Sequence, residues 1–283
     1  MCSLLKAPAP ASFYEVALTQ TLARWQPDCI IPILVADLQR GWLLMPDGGP
    51  RLRDLIRADG DVRQWEVGLP RYGILQQDLV SRREELLSLG VPDRRLSVLA
   101  ASFEQLLTDE RALGIDREDG LSRDEVHRLR EAIPLIAAAV EQLAAFGIPE
   151  SLHHGDFHDG NVFARAGSYL IFDWGDASIS HPFFSVRTVI VSVERTLGLE
   201  EGQAPEELLR DAYLEPWTAF ASRQDLLAAF ELARRLWMIP SALGWHQIVA
   251  RLEGEEREAY AYTVVWLLKE FLDANASGRG MAR

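Results

Sequence analysis

The sequence predicts an α+β fold in two unequal parts, a small strand-bearing N-terminal lobe over residues 1–50 and a large, mostly helical lobe over 51–283. Three observations carry that prediction. Gly41-Trp42-Leu43-Leu44-Met45 is a short apolar run stopped by Pro46-Asp47-Gly48-Gly49-Pro50, as a strand ending in a break would be. Beyond Arg51 apolar residues recur mainly at helical spacing. The exception is Val162-Phe163 and Tyr169-Leu170-Ile171-Phe172, two short apolar runs around Ala164-Arg165-Ala166-Gly167-Ser168, which read as a β-hairpin.

The first element is Ser3-Leu4-Leu5-Lys6-Ala7, the end of a strand. From Phe13 to Gln26 the spacing is helical: Leu18, Leu22 and Trp25 form one stripe, Phe13 and Ala17 flank it, and Glu15 sits near the start. Ile30 to Asp37 reads as a second strand, separated from Gly41–Met45 by a short polar turn. Gly60 to Gly90 holds one or two helices, with Arg82 to Glu85 as a solvated face, and Arg94 to Leu107 continues the pattern. Thr108 to Gly120, charged and with two glycines, is a surface connection. Ser122-Arg123-Asp124-Glu125 is a capping box opening a long helix to Phe146, kinked at Pro134, with Ile136, Ala137, Val140, Leu143 and Ala144 on its buried side. After His181-Pro182 come a helix through Val193 and three more near 205–222, 223–243 and 254–275, then a frayed tail.

The most informative stretch is His154-Gly155-Asp156-Phe157-His158-Asp159-Gly160-Asn161, followed at residues 173–176 by Asp173-Trp174-Gly175-Asp176. One carboxylate, Asp156, precedes a carboxamide, Asn161. A second carboxylate, Asp173, arrives at the end of an apolar run. Phosphoryl transfer needs this set: a carboxylate to orient the attacking hydroxyl, and oxygen ligands to hold Mg²⁺ on nucleotide phosphates. Asn161 precedes the first strand of the expected hairpin and Asp173 follows the second, so the two can converge on one cation. Asp and Asn also cap turns, a reading that leaves the spacing unexplained.

At these residues the chain resembles the aminoglycoside phosphotransferase and choline kinase-like enzymes, which share the protein-kinase-like fold. Their pattern is H-G-D-x-H-x-x-N followed by D-[WF]-x-[DE], and both halves are complete here. The resemblance implies Asp156 as catalytic base and Asn161 and Asp173 as Mg²⁺ ligands, with His154 and His158 bracing the loop. Asp176 would either orient the loop or help bind a cationic substrate. In this fold a strand lysine pairs with a helix glutamate and with the nucleotide's phosphates, and Lys6 and Glu15 match in order; an ordinary surface lysine and a first-turn glutamate are the plainer reading. The break at 46–50 matches the hinge between lobes, with the nucleotide base against backbone around Met45 to Asp47. C-terminal helices would build the acceptor pocket. Trp217, Trp237, Trp245, Trp266 and Tyr262 are candidates for its lining, although tryptophans at helical spacing more often pack in cores.

The implied activity is Mg²⁺-dependent transfer of the γ-phosphate of ATP or GTP to a hydroxyl of a small molecule of aminoglycoside, amino alcohol or sugar type. The chain departs from the family pattern at its front. Only five residues precede Lys6, so the two strands and phosphate-covering loop expected there have no place, and Gly48-Gly49 lie in the hinge. Either the protein starts upstream of Met1 or it is a reduced kinase with an open nucleotide site. The competing expectation is a non-catalytic, pseudokinase-like binding protein, against which three intact chemical residues speak. A zinc hydrolase built on His153, His154, Asp156 and His158 fits less well: the other histidines are His127, His181 and His246, and no H-E-x-x-H spacing occurs.

Composition agrees. At 283 residues the chain can bury a sizeable core, and 48% hydrophobic with 25% charged residues is ordinary for a globular protein. Two cysteines, Cys2 and Cys29, make no disulfide framework. The start lacks a basic region before a long apolar core, and no apolar run reaches bilayer length, so the expectation is a cytoplasmic protein without membrane contact. A net charge of −13 argues against non-specific nucleic-acid binding and agrees with a cationic acceptor, which an acidic cleft would concentrate.

Overall fold

The structure, a computed structural model, describes residues 3–7, 12–115, 117–165, 167–252 and 254–277, the side chains at 3, 255, 256, 258 and 259 excepted. Of the tail expected over 276–283, Ala276 still belongs to the last helix, and residues 278–283 lie outside the described residues. In chain order the elements are β1 (Ser3–Lys6), α1 (Tyr14–Trp25), β2 (Val35–Asp37), β3 (Trp42–Pro46), α2 (Leu52–Asp59), α3 (Trp65–Leu79), α4 (Arg83–Ser88), α5 (Leu96–Leu106), α6 (Arg123–Glu131) and α7 (Ile133–Ala145). There follow β4 (Ser151–His153), β5 (Val162–Arg165), β6 (Ser168–Ile171), β7 (Ser178–Ser180), α8 (Val186–Leu197), α9 (Glu206–Leu214), α10 (Arg223–Leu236), α11 (Met238–Val249) and α12 (Gly254–Ala276). Two compact units result, residues 1–93 with 149–220 and residues 94–148 with 221–283.

In the first unit β1, β3 and β2 form an antiparallel sheet in that order. Lys6 lies opposite Leu43 and shares its face, because directly paired residues of an antiparallel pair point the same way. Leu43 and Met45 on that face are buried while Trp42 is exposed, the alternation of a half-buried strand. The strand expected from Ile30 forms only at Val35–Asp37. Pro32, which has no N–H to give a ladder, divides the run, and Ile30 instead bridges Ile171 at the end of β6. In α1, Val16, Leu18 and Leu22 are buried and Trp25 is half-buried, while Phe13, just before it, is exposed. Glu84 and Glu85 are exposed as expected, but the Arg82 guanidinium lies 4.2 Å from the Trp25 ring centroid, a cation–π contact.

The second unit is helical. The capping box at Ser122 is present in full, its hydroxyl accepting from the Glu125 N–H and the Glu125 carboxylate accepting from the Ser122 N–H. The helix it opens does not run to Phe146. It ends at Glu131, and α7 begins anew at Ile133 with Pro134 in its first turn, where a missing N–H costs nothing. Ile136, Ala139, Val140 and Leu143 are the buried residues of α7; Ala144, expected among them, is exposed and Ala137 is half-buried. Similarly, the 223–243 helix divides at Trp237 into α10 and α11.

The core of the first unit is aromatic. Trp65 and Tyr72 of α3 enclose Phe157, with ring centroids at 5.5 Å and 3.9 Å. Phe157 is the variable position inside the H-G-D-x-H stretch, and it plugs that loop into the core. Burying such a ring is worth about 2–3 kcal/mol. Trp217 is fully buried, as a core tryptophan, whereas Tyr262 and Trp266 of α12 are about half exposed.

Candidate active site

β4 pairs with β7, and the chain leaves β4 directly into residues 154–161. Gly155 makes the turn at φ +84°, and a Cβ there would lie 2.1 Å from the Asp176 carbonyl oxygen, so only glycine fits. The loop after Asp173 is thereby pressed onto the loop before Asp156. His154 is fully buried. Its Nε2 lies 3.0 Å from the Phe172 carbonyl and its Nδ1 accepts from the Asp156 N–H at 3.3 Å, which places the ring proton on Nε2. Burial pushes its pKa down to about 4, so it is a neutral brace. The buried Tyr72 hydroxyl in turn accepts from the His154 N–H at 3.0 Å.

The Asp156 carboxylate is partly exposed. Burial of the group works to raise its pKa, but the His158 ring, with Nε2 3.2 Å from Oδ2, and the Asn161 amide at 3.3 Å hold it below the ordinary value. Asn161 also donates to the Asp156 carbonyl at 2.9 Å. With Nδ2 committed in this way, the amide oxygen Oδ1 is the end of Asn161 left for a cation.

The hairpin forms as expected, β5 pairing antiparallel with β6 from Val162↔Ile171 to Arg165↔Ser168. One further backbone bond, Phe172 N–H to Asn161 carbonyl at 3.2 Å, extends the pairing to the residues just outside it and brings Asn161 beside the start of the 173–176 segment. Asp173 has φ +68°, the one non-glycine residue with positive φ among the described residues. Aspartate tolerates this left-handed region better than most residues, and such backbone concentrates at functional sites.

Lys6 reaches across from β1 to bind both Glu15 of α1 and Asp173, the latter at 2.5 Å. Burial opposes the charge on Lys6, but the two carboxylates outweigh it and raise its pKa. Glu15 is itself buried, and burial lifts its pKa to about 7 against the pull of Lys6. Its second oxygen, Oε2, is buried without a hydrogen-bond partner among the described residues. A Cβ on Gly175 would come within 3.1 Å of that oxygen, so α1 packs directly on the segment after Asp173. Tyr14 ties the same two parts together, its hydroxyl meeting the Gly175 and Ala177 carbonyls at 2.6 and 3.0 Å.

Met45 is buried with Ile31, Phe163 and Phe172 in an apolar cluster. Asp47 closes the turn after it, accepting from the Gly49 N–H at 3.0 Å. Gly48 lies so close on Phe163 that a Cβ would fall 2.3 Å from the ring. Asp176 is half-buried beside the loop, with its carbonyl against Gly155.

Two residues that sequence reasoning passed over belong to the same constellation. Asp159, at a variable position of the motif, is fully buried and binds Arg53 of α2, and Arg53 also touches His158. Asp159 lay inside the stretch already singled out; Arg53 had only its place just after the hinge.

The donor set fits a hard divalent cation held by few protein ligands. Asp173 offers a partly exposed carboxylate and Asn161 a free amide oxygen, the sparse oxygen set that suits Mg²⁺ when phosphates and water complete the shell. Among the described residues no group of three or more His, Cys, Asp or Glu side chains could hold a metal, so a zinc site of three or four protein ligands is not what this geometry offers.

Comparison with solved structures shows where this fold recurs. An ethanolamine kinase from Plasmodium vivax superposes with a TM-score of 0.60 at 14% identity, over 94% of this chain and 75% of its own. The structure of APH(2″)-IIa with gentamicin gives 0.59 at 14% identity, over 95% and 85%. A choline/ethanolamine kinase family protein from Mesorhizobium loti gives 0.57 at 15% identity, over 99% and 85%. At these identities the likeness speaks to the fold, which is the protein-kinase-like fold the motifs implied. No curated protein matches the chain in sequence. The family model described as the phosphotransferase enzyme family (APH) matches residues 52–226, more than half of the chain, and takes in the loop, the hairpin and Asp173; this chain belongs to that family.

Proposed function

We propose that this chain is a small-molecule kinase that moves the γ-phosphoryl group of a nucleoside triphosphate, ATP or GTP, to a hydroxyl group with the help of Mg²⁺. The observation that carries the reading is the gathering of Asp156, Asn161 and Asp173 around one hairpin, with Lys6 of the N-terminal sheet bound to Asp173 and held in turn by Glu15 of α1. In this reading residues 1–50 grip the nucleotide, its base lying against backbone near Met45 and Asp47, and residues 51–283 carry the catalytic loop and the acceptor pocket.

Each residue then has a physical task. Asp156, kept ionised below its ordinary pKa by its neighbours, accepts a hydrogen bond from the acceptor hydroxyl and takes its proton as the bond to phosphorus forms. Such a base contributes on the order of 10²–10⁴ in rate. Asn161 and Asp173 would hold the cation, which when bound neutralises charge on the phosphate oxygens. Lys6, kept protonated by Glu15 and Asp173, presents its ammonium to the phosphates that stay behind. His154 and His158 fix the loop, and Asp176 lies where it can orient it or meet a cationic group.

Structural neighbours named as ethanolamine and choline kinases and one bound to gentamicin support an amine-bearing acceptor, as does the net charge of −13. An acidic protein of this kind suits the cytoplasm and neither nucleic acid nor membrane; no helix among the described residues is long and apolar enough to cross a bilayer. The test is ADP or GDP release in Mg²⁺ with a panel of amino alcohols, aminoglycosides and sugars. The account expects one acceptor class to stimulate release in the wild type and none to do so in Asp156→Ala. Equal release by the two proteins would overturn it.

A further inference from the structure

Asp159 is a buried carboxylate with three donors: Arg53 Nε at 2.7 Å, Ser192 Oγ at 2.7 Å and Thr196 Oγ1 at 2.6 Å. The two hydroxyls are four residues apart on α8 and therefore lie on one face of that helix. An ion pair kept in such surroundings is a weak device for stability, since well-packed apolar residues of like volume often do as well. Its geometry points elsewhere. While Nε of Arg53 binds Asp159, Nη2 of the same guanidinium meets Nδ1 of His158 at 3.2 Å. The Gly160 N–H donates to that nitrogen as well, at 2.9 Å. Arginine and a backbone amide can only donate, so Nδ1 is the bare nitrogen and the ring proton is on Nε2, 3.2 Å from the Asp156 carboxylate. Gly160 also makes room for the contact: a Cβ there would lie 2.7 Å from His158 Cε1 and 2.8 Å from Arg53 Cζ.

We propose that Arg53, anchored on Asp159, is a positioning residue that clamps the His158 ring so that its Nε2–H faces Asp156 and holds that carboxylate in one orientation. Arg53 stands in the first turn of α2, just after the hinge, so one side chain joins the start of that helix to the catalytic loop. The consequence for rate rests on the phosphotransferase reading; the clamp itself does not.

Arg53→Ala alone would leave Asp159 as an uncompensated buried charge and unfold or weaken the protein for that reason. Two other variants avoid this. Arg53→Leu with Asp159→Asn removes both charges, and Arg53→Lys keeps a cation opposite Asp159 but lacks the planar fork needed to bridge two partners. In protein labelled with ¹⁵N-histidine at about pH 8, above the ordinary histidine range, the wild type is expected to show a slowly exchanging Nε2–H for His158, identified by its loss in His158→Gln. In both variants that signal is lost to exchange while the melting midpoint of the double variant stays near wild type. Turnover of Mg·ATP with water as acceptor falls roughly 10- to 100-fold with KM for Mg·ATP unchanged, the loss expected of a misplaced catalytic group. A wild-type His158 signal in the folded double variant, or wild-type kcat in it, overturns the proposal. Absence of both Mg·ATP and Mg·GTP turnover in the wild type across the acceptor panel would strike the phosphotransferase reading instead and leave the His158 signal to decide on Arg53.

Discussion

Two regions of the candidate site are built on different principles. In the loop from His154 to Asn161, hydrogen bonds within the loop link His154, Asp156, His158 and Asn161, Arg53 and α8 secure Asp159 from outside it, and tight glycines at 155 and 160 let the backbone and rings approach. The second region, Lys6 with Glu15 and Asp173, is assembled from three separate elements and rests on charge balance. One of its oxygens, Glu15 Oε2, is buried without a partner among the described residues, and the Glu15 carboxyl titrates near 7. The contrast teaches a division of labour. In the proposed reading the first region is preorganised for chemistry, whereas the second is a set of charges whose balance a polyanionic ligand and its cation would shift.

That contrast can be broken experimentally, most forcefully at Asp156. Asp156→Ala should lower acceptor-stimulated turnover by about 10³-fold, within the range of a positioned base, while nucleotide titrations remain as in the wild type. Next in size is Gly155→Ala, which asks whether the loop is as rigid as its contacts imply. A Cβ 2.1 Å from a backbone oxygen at φ +84° forces the loop or the 173–176 segment to move. The expected cost is about 3 kcal/mol or more, the upper end for ordinary point changes, read as a lower urea midpoint. An unchanged midpoint would show that the two loops are not pressed together.

The smaller effects probe the charge-balanced region. The Glu15 pKa is raised by burial from the ordinary 4.5 to about 7, so between those values the folded protein binds a proton that the unfolded chain has already released. Stability from this group is full below about pH 4.5 and is lost as the pH rises toward 7. Thermal melts from pH 4.5 to 7.5 should show this decline in the wild type and a flatter curve in Glu15→Gln; parallel curves would remove Glu15 as its source. Phe220→Ala, a change outside both regions at a half-exposed ring that lies against Trp217, should lower stability by about 1 kcal/mol.

How much of this could be read from the chain follows from the range of the interactions. β1, β3 and the hairpin announced themselves by apolar runs ending in Gly and Pro, and the cap at Ser122 by its Glu125 partner three residues on. That Asn161 and Asp173 lie near each other was legible because they flank that hairpin, whose pairing extends through the Phe172–Asn161 backbone bond. Pro134 and Pro32 were visible too, but whether a proline kinks, ends or divides an element depends on which neighbours take up the freed carbonyls; Pro134 stands in the first turn of a new helix, and Pro32 divides its run between Ile171 and β3. The burial of Glu15 was hidden because it comes from packing against Gly175, far along the chain. Arg53 was invisible for the same reason: its partners His158 and Asp159 lie more than a hundred residues away, and no local pattern marks an arginine that will bridge them.

The central claim is that the two regions form one nucleotide site, and calorimetric titration of ATP and GTP with and without Mg²⁺ tests it most directly. The wild type should bind a nucleotide only with Mg²⁺, Asp156→Ala should bind it equally well, and Asp173→Ala should weaken it by roughly 100-fold, the several kcal/mol that a metal-held phosphate contact supplies. No Mg²⁺-dependent binding by the wild type, or unaltered binding by Asp173→Ala, would contradict the account.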